Sequence, residues 1–205
     1  MPLILQEAVE ADVPRLVEIE RDAYATNAMS PILFPGPFPP DALEKRGEGL
    51  IKQRRADPSI RWVKAVDMET RDIVAFAKWD IIEKPKEIVR SRVFGPGCNV
   101  EACEEFFGGI ARKRKELMGD KAYCLLDLLQ TEPKHQGRGA GSMLIKWGLD
   151  IADELNLPAY LESSPAGHRL YQKFGFKDID ELKMSPKWNY GTADPNIYFM
   201  LRDVR

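Results

Sequence analysis

The run Tyr123-Cys124-Leu125-Leu126-Asp127-Leu128-Leu129-Gln130-Thr131, the polar loop from Glu132 to Gly141, and the amphipathic run Met143, Leu144, Trp147, Leu149, Ile151, Ala152 and Leu155 decide how this chain folds. The first reads as a strand, and the last as a long helix stopped by Asn156 and Pro158. Between them lies Gln136-Gly137-Arg138-Gly139-Ala140-Gly141-Ser142, which makes the unit strand, glycine-rich turn, helix. Glycines at such a junction let backbone N–H groups converge on an anion, which the positive end of the following helix also attracts. A phosphate is the natural guest, and a tight turn without a ligand is the plain alternative. A P-loop fails for want of Gly-Lys-Ser/Thr, and a dinucleotide fingerprint fails because Ser142 stands where its third glycine is needed.

Outward from this unit, Leu3 to Val9 reads as a strand, and Asp12 supplies an N-cap before a helix carrying Val13, Leu16, Val17 and Ile19. Ser30 to Pro40 holds five prolines among Phe34, Phe38 and Gly36, which predicts a stiff aromatic loop without regular structure. Asp41 caps a second helix running towards Arg55, and Trp62 to Asp67 with Ile73 to Ile82 read as a hairpin. Residues from about 83 to 121 form an insertion, in which a helical stretch ends on Arg112-Lys113-Arg114-Lys115. The plain reading of that run is a solvated helix end. Ala159 to Glu162 is a short strand, Pro165 to Phe174 a helix, Phe176 to Met184 a strand, Pro186 to Pro195 a loop with Trp188 and Tyr190, and Asn196 to Leu201 a last strand. The order describes one mixed α/β domain spanning 1–205.

With 205 residues against roughly 150 per domain, two full domains do not fit. Apolar residues make up 44% and charged residues 30%, enough for a core and a solvated outside, so collagen-like and disordered classes drop out. The net charge of −2 and the lack of a basic stripe argue against nucleic acid. Three cysteines, Cys98, Cys103 and Cys124, are too few and too odd for a disulfide framework, which predicts free thiols in a reducing compartment. His135 and His168 lack partners at ligand spacing, so no metal is expected, and His135 is expected on the exposed side of the turn. Acidic Glu7 and Glu10 stand where a secretory signal would be basic, and every apolar run falls short of the ~20 residues that span a bilayer. A soluble cytoplasmic protein without a membrane partner, monomeric or homodimeric, is the expectation.

The turn also fits Gln/Arg-x-x-Gly-x-Gly/Ala, as Gln136, Gly139 and Gly141, and about 35 residues later comes Leu170-Tyr171-Gln172-Lys173-Phe174-Gly175-Phe176. In these two motifs and in its order of elements the chain resembles the GNAT family of acetyl-CoA-dependent N-acetyltransferases. The stretch from Leu125 to Phe176 is especially similar to fungal small-molecule members.

The resemblance implies a central, twisted, mostly antiparallel sheet with one splayed strand pair and helices on both faces. It implies acetyl-CoA as co-substrate, its pantetheine arm paired with main-chain groups of Leu128, Leu129, Gln130 and Thr131. The pyrophosphate would be held by the turn from Gln136 through Gly137, Arg138, Gly139, Ala140 and Gly141 to Ser142, with Arg138 free to add charge. Tyr171 matches the tyrosine that lies near the thioester sulfur, where a phenol of pKa ~10 can protonate the leaving thiolate; packing against Phe174 is its alternative role. Ser164 stands where the family often has asparagine, and a hydroxyl lacks the two donors of an amide.

An alkyl amine of pKa ~10 arrives protonated, so a proton acceptor is needed. Asp127, sharing a face with Leu125 and Leu129, and Glu162, ending the adjacent strand, are the available carboxylates; each can equally be a structural acid or an ammonium contact. Phe34 and Phe38 on one loop, with Trp188 and Tyr190 on another, are expected to wall a pocket for a small, partly apolar amine. A peptide acetyltransferase and a non-catalytic acyl-CoA-binding module are the rival readings.

Overall fold

The strongest strand of the sequence lies at the centre of the sheet. The computed structural model describes residues 2–25, 27–85, 94–191 and 194–204. Among these residues seven strands form one sheet in the order β1-β2-β3-β4-β5-β7-β6. They are β1 Leu3–Glu7, β2 Ile60–Asp67, β3 Ile73–Ile82, β4 Tyr123–Thr131, β5 Ala159–Ser163, β6 Lys177–Lys183 and β7 Asn196–Arg202. Neighbouring strands run antiparallel, except that β4 and β5 are parallel. Parallel neighbours need a crossover, which here is the long helix expected after the glycine turn.

The helices are α1 Val13–Tyr24, α2 Ser30–Leu33, α3 Ala42–Ala56, α4 Val100–Met118, α5 Ala140–Glu154 and α6 Pro165–Lys173. Along β4 the side chains alternate: Cys124 and Leu126 join the core beneath α5, while Tyr123 and Leu125 join the core beneath α4. Helix α5 buries Leu144, Ile145, Leu149 and Ala152 against the first face. Full burial of each large aliphatic side chain contributes about 1.5–3 kcal/mol. Trp79 of β3 fits under Gly148 of α5 and donates its indole N–H to the Leu144 carbonyl at 3.3 Å. On the other face α1 and α3 pack on Trp62 and Phe76.

Three local expectations change. Ser30–Leu33 forms one helical turn inside the proline-rich loop, because Pro31 sits in its first turn, where no N–H is needed. Asp12 and Asp41 stand at their N-caps without capping side-chain bonds; Asp12 turns to Lys64 at 2.7 Å and Asp41 to Lys45 at 2.7 Å. The basic run at the end of α4 is not wholly solvated: Arg114 is buried, four residues from both Ile110 and Met118, which pack in the same core. Part of the expected 83–121 insertion, residues 86–93, lies outside the described residues, as do residues 192–193 of the loop before β7. Among the described residues no helix is long and apolar enough to cross a membrane.

Candidate active site at the strand fork

Parallel pairing of β4 with β5 stops after Cys124↔Ala159, Leu125↔Tyr160 and Leu126↔Leu161. Beyond that point β4 stays with β3 as far as Thr131↔Ala75, and β5 stays with β7 as far as Ser163↔Tyr198. The two strands therefore fork, and from Asp127 to Thr131 the main-chain edge of β4 that faces the fork has no β5 partner. Buried main-chain donors and acceptors are rarely left without partners, so an extended ligand that supplies them fits this edge. A bulge opens the fork: Leu128 sits opposite Lys78 and Leu126 opposite Trp79, leaving Asp127 as the extra residue. The bulge also breaks the period-two pattern. Leu129 packs with Leu126 rather than sharing a face with Leu125, which corrects the sequence expectation.

The fork leads into the glycine turn. Gly137 and Gly139 have φ of 77° and 88°, a left-handed backbone that a side chain strains, and nothing lies within 4 Å of where either Cβ would be. The amides of Ala140, Gly141 and Ser142 form the first turn of α5, which has no intrahelical acceptors for them. Open space, converging amides and a helix N-terminus together suit a diphosphate, so the residues present fit the coenzyme implied by the sequence. The Gln136 side chain donates to the Thr131 carbonyl at 3.4 Å, joining turn to strand. Arg138 is not free to add charge, contrary to expectation: its guanidinium lies 2.6 Å from Asp67 and 2.8 Å from His135 Nδ1. Those contacts also draw His135 inward, with only 16% of its side chain exposed.

The second motif lies beside the first. A Cβ on Gly141 would be 3.3 Å from Leu170, the neighbour of Tyr171, so α6 abuts the start of α5. Tyr171 is buried in the α5-side core, edge-on to Phe176 at 6.1 Å between ring centroids. Burial, with Tyr24 adding to it, pushes its hydroxyl well above the usual phenol range, so it stays protonated at every physiological pH. Ser164 is the N-cap residue of α6 without a capping side-chain bond, and its carbonyl accepts from the Ser163 hydroxyl at 2.7 Å. Cys124 is buried, which pushes its thiol up to about 12 and keeps it inert.

Asp127 and Glu162 are each the first residue past the last β4–β5 pair, so the structure brings the two candidate carboxylates to the root of the fork. Each is paired with a cation. Asp127 Oδ2 takes a hydrogen bond from Lys78 Nζ at 2.8 Å, and Lys78, 1% exposed, also reaches Gln53 at 3.2 Å and Asp80 at 3.6 Å. Glu162 is held two-pronged by Arg114 of α4, at 2.6 and 2.8 Å. Lys78 and Arg114 were missed in the sequence. Their signals were a cation and an acid, Lys78 and Asp80, in a largely apolar strand and a basic residue at helical spacing from two apolar ones.

Of the four aromatics expected in the pocket wall, Phe34, Trp188 and Tyr190 meet in one cluster with Phe94, Phe107 and Met184 against α2 and α4. Phe38 is 51% exposed and outside it. Glu105 of α4 ties this wall together, accepting from the Ser185 amide at 2.5 Å and the Trp188 indole at 2.8 Å. Burial opposes its charge, but those two donors and Lys187 outweigh it and hold the carboxyl below the usual range.

Residues 27–176 match the model of the Acetyltransferase (GNAT) family. A "Probable acyltransferase SID5" of Ajellomyces capsulatus is 41% identical over 64 residues, which is 31% of this chain and 45% of that protein. The chain thus spans less than half the length of the curated relatives it matches. A Corynebacterium glutamicum structure described as histone acetyltransferase HPA2 and related acetyltransferase superposes with a TM-score of 0.67 at 21% identity, covering 100% of this chain and 98% of that one. A Sinorhizobium meliloti phosphinothricin acetyltransferase in complex with AcCoA gives 0.60 at 16% identity, covering 100% and 89%.

Proposed function

Because this chain belongs to the Acetyltransferase (GNAT) family, we propose that it transfers acetyl from acetyl-CoA directly to the amine of a small molecule. In this reading it works as a single domain, with residues 83–121 as an insertion that carries α4. The observation that carries the reading is the continuity of the fork with the glycine turn: the unpaired β4 edge runs into open amides at the start of α5. Leu128, Leu129, Gln130 and Thr131 hold the pantetheine arm by main chain, and Gln136 to Ser142 hold the pyrophosphate, Arg138 by its amide. Ser164, lacking an amide side chain, adds at most one hydroxyl contact.

Bound acetyl-CoA supplies an acyl group already activated as a thioester. The chain's own contribution is to hold an amine against it in attack geometry, which is worth several powers of ten in rate. Main-chain donors at the bulge polarise the carbonyl. Tyr171, kept protonated by burial, offers its hydroxyl as a hydrogen-bond donor to the departing sulfur. Either Asp127 or Glu162, the carboxylates at the root of the fork, takes up the proton that an ammonium acceptor must lose before its nitrogen attacks. The aromatic wall of Phe34, Trp188 and Tyr190, without Phe38, favours a small acceptor over a peptide, although a relative in fold is described as a histone acetyltransferase.

The test combines acetyl-CoA calorimetry with a free-thiol release assay on alkyl amines, aryl amines and peptides. Amine-dependent thiol release is expected. Binding without release marks a non-catalytic acyl-CoA module, and release with peptides alone overturns the choice of a small molecule. Tyr171→Phe is expected to lower turnover roughly 10- to 100-fold with acetyl-CoA affinity nearly unchanged; an unchanged rate removes Tyr171 from the chemistry.

A further inference from the structure

The glycine turn is held from behind by side chains that the mechanism above does not use. Gly137 and Gly139, both at positive φ, flank Arg138, and among the described residues nothing lies within 4 Å of where their Cβ atoms would be. Glycine gives a chain more backbone freedom than any other residue, and no packing against these two takes it away. The Arg138 side chain does. One end of its guanidinium, Nη2, donates to Asp67 Oδ2 at 2.6 Å, and the other, Nη1, lies 2.8 Å from His135 Nδ1. A guanidinium only donates, so Nδ1 is the accepting nitrogen and the ring carries its proton on Nε2, 3.6 Å from the Glu132 carboxylate. Both anchors are themselves fixed. Asp67, the last residue of β2, is buried, and its other oxygen accepts from the Glu69 amide at 2.9 Å. Glu132, buried just after β4, accepts from Arg15 of α1 at 2.5 Å, and Arg15 also donates to the Ile73 carbonyl at 3.3 Å. A line of polar contacts thus runs from the end of β2 through Arg138 and His135 to α1, directly behind the turn. Ion pairs with a buried partner add little net stability, so what this line contributes is geometry.

We propose that Asp67 and His135 are positioning residues for the coenzyme: through the Arg138 side chain they hold the turn, before any ligand arrives, in the shape that presents its amides to a diphosphate. A turn already ordered loses less freedom on binding, and affinity rises by the difference. Both residues act through Arg138 rather than on the reacting atoms, so transfer from bound coenzyme is indifferent to them. This role rests on the reading that acetyl-CoA is held at the turn, and adds the residues that set how tightly.

The experiment compares the wild type with three variants. His135→Leu removes the accepting nitrogen, His135→Asn offers an amide oxygen that can accept in its place, and Asp67→Asn keeps the shape and loses the charge. Calorimetric acetyl-CoA affinity and unfolding temperature are measured on each, with thiol release from acetyl-CoA and from acetyl-pantetheine, a thioester without the diphosphate. The expected result is an acetyl-CoA Kd raised about 10-fold in His135→Leu and about 5-fold in Asp67→Asn, and close to wild type in His135→Asn. At saturating acetyl-CoA, kcat is expected to stay within about twofold, as is the KM for acetyl-pantetheine. A lowered unfolding temperature with acetyl-CoA Kd unchanged in His135→Leu and Asp67→Asn marks a merely structural role and overturns the inference. So do equal losses of affinity in His135→Leu and His135→Asn, or an equal effect on the two thioesters. Each of these leaves acetyl-CoA binding at the fork standing. A wild type that does not bind acetyl-CoA overturns both.

Discussion

The corner where β4 meets α5 and the aromatic wall built by α2, α4 and residues 184–190 are made differently. The corner uses main chain: an unpaired strand edge, two glycines with positive φ and the amides of a helix start. The wall uses side chains brought together from distant segments: Phe34, Phe107, Trp188 and Tyr190, fastened by Glu105. Main-chain recognition suits a ligand part that never changes, such as a diphosphate. Side-chain recognition can vary with the acceptor while the corner stays fixed.

The largest expected effect tests whether the corner depends on the packing beneath it. A Cβ at Gly148 would lie 2.0 Å from the Trp79 ring, and no small rotation relieves a clash with an indole that is itself buried. Gly148→Ala is expected to destabilise the fold by about 3 kcal/mol in denaturant unfolding; a change within ~0.5 kcal/mol would show that α5 is not seated on β3 as described.

Next, Gly139→Val forces a β-branched residue to φ 88° in open space, a strain of about 1–3 kcal/mol. Acetyl-CoA affinity is expected to fall roughly 10- to 100-fold with little change in amine KM. The wall should behave in reverse. Glu105→Gln keeps the shape but loses the charge that accepts from Ser185 and Trp188, and about 1 kcal/mol predicts a roughly fivefold rise in amine KM at constant acetyl-CoA affinity. If both variants move both constants alike, the corner and the wall are not separate devices.

The smallest effect concerns pH. The Arg138 guanidinium, then the Glu69 amide, hold the Asp67 carboxyl below its usual range against the opposing effect of burial. A carboxyl depressed in the folded state stabilises fully above its unfolded value, about 4, and that contribution is lost as pH falls through the lower folded value. The unfolding-temperature gap between wild type and Asp67→Asn is therefore expected to be widest above pH 5 and to close on acidification. A gap independent of pH would mean that Arg138 is not held by that charge.

The sequence carried the corner further than the wall, for a physical reason. Strand, glycine turn and helix are contiguous, so periodicity and the glycines at 137 and 139 expose them directly, and β3, β4 and α5 lie where they were expected. The fork follows from the family resemblance, not from the pattern. The bulge at Asp127 is invisible to an alternation count, which is why Leu129 was assigned to the wrong face. The partners of Asp127 and Glu162 come from β3 and α4, 49 and 48 residues away, and no local rule connects them. Arg138 was misread for the same reason, since Asp67 stands 71 residues away. Phe106 and Phe107 build the wall from α4, and nothing local in a helical Phe-Phe pair points to the distant Phe34, Trp188 and Tyr190.

The central claim is that acetyl-CoA is held by the β4 edge and the glycine turn. Backbone amide resonances of the labelled chain, followed while acetyl-CoA is added, test it most directly. The account predicts that the largest shifts cluster at Leu128 to Thr131 and Gly137 to Ser142, while Glu105 and Ser185 stay nearly still. Saturable binding with those amides unmoved and the shifts gathered on another face, such as the outer side of α3, would contradict it.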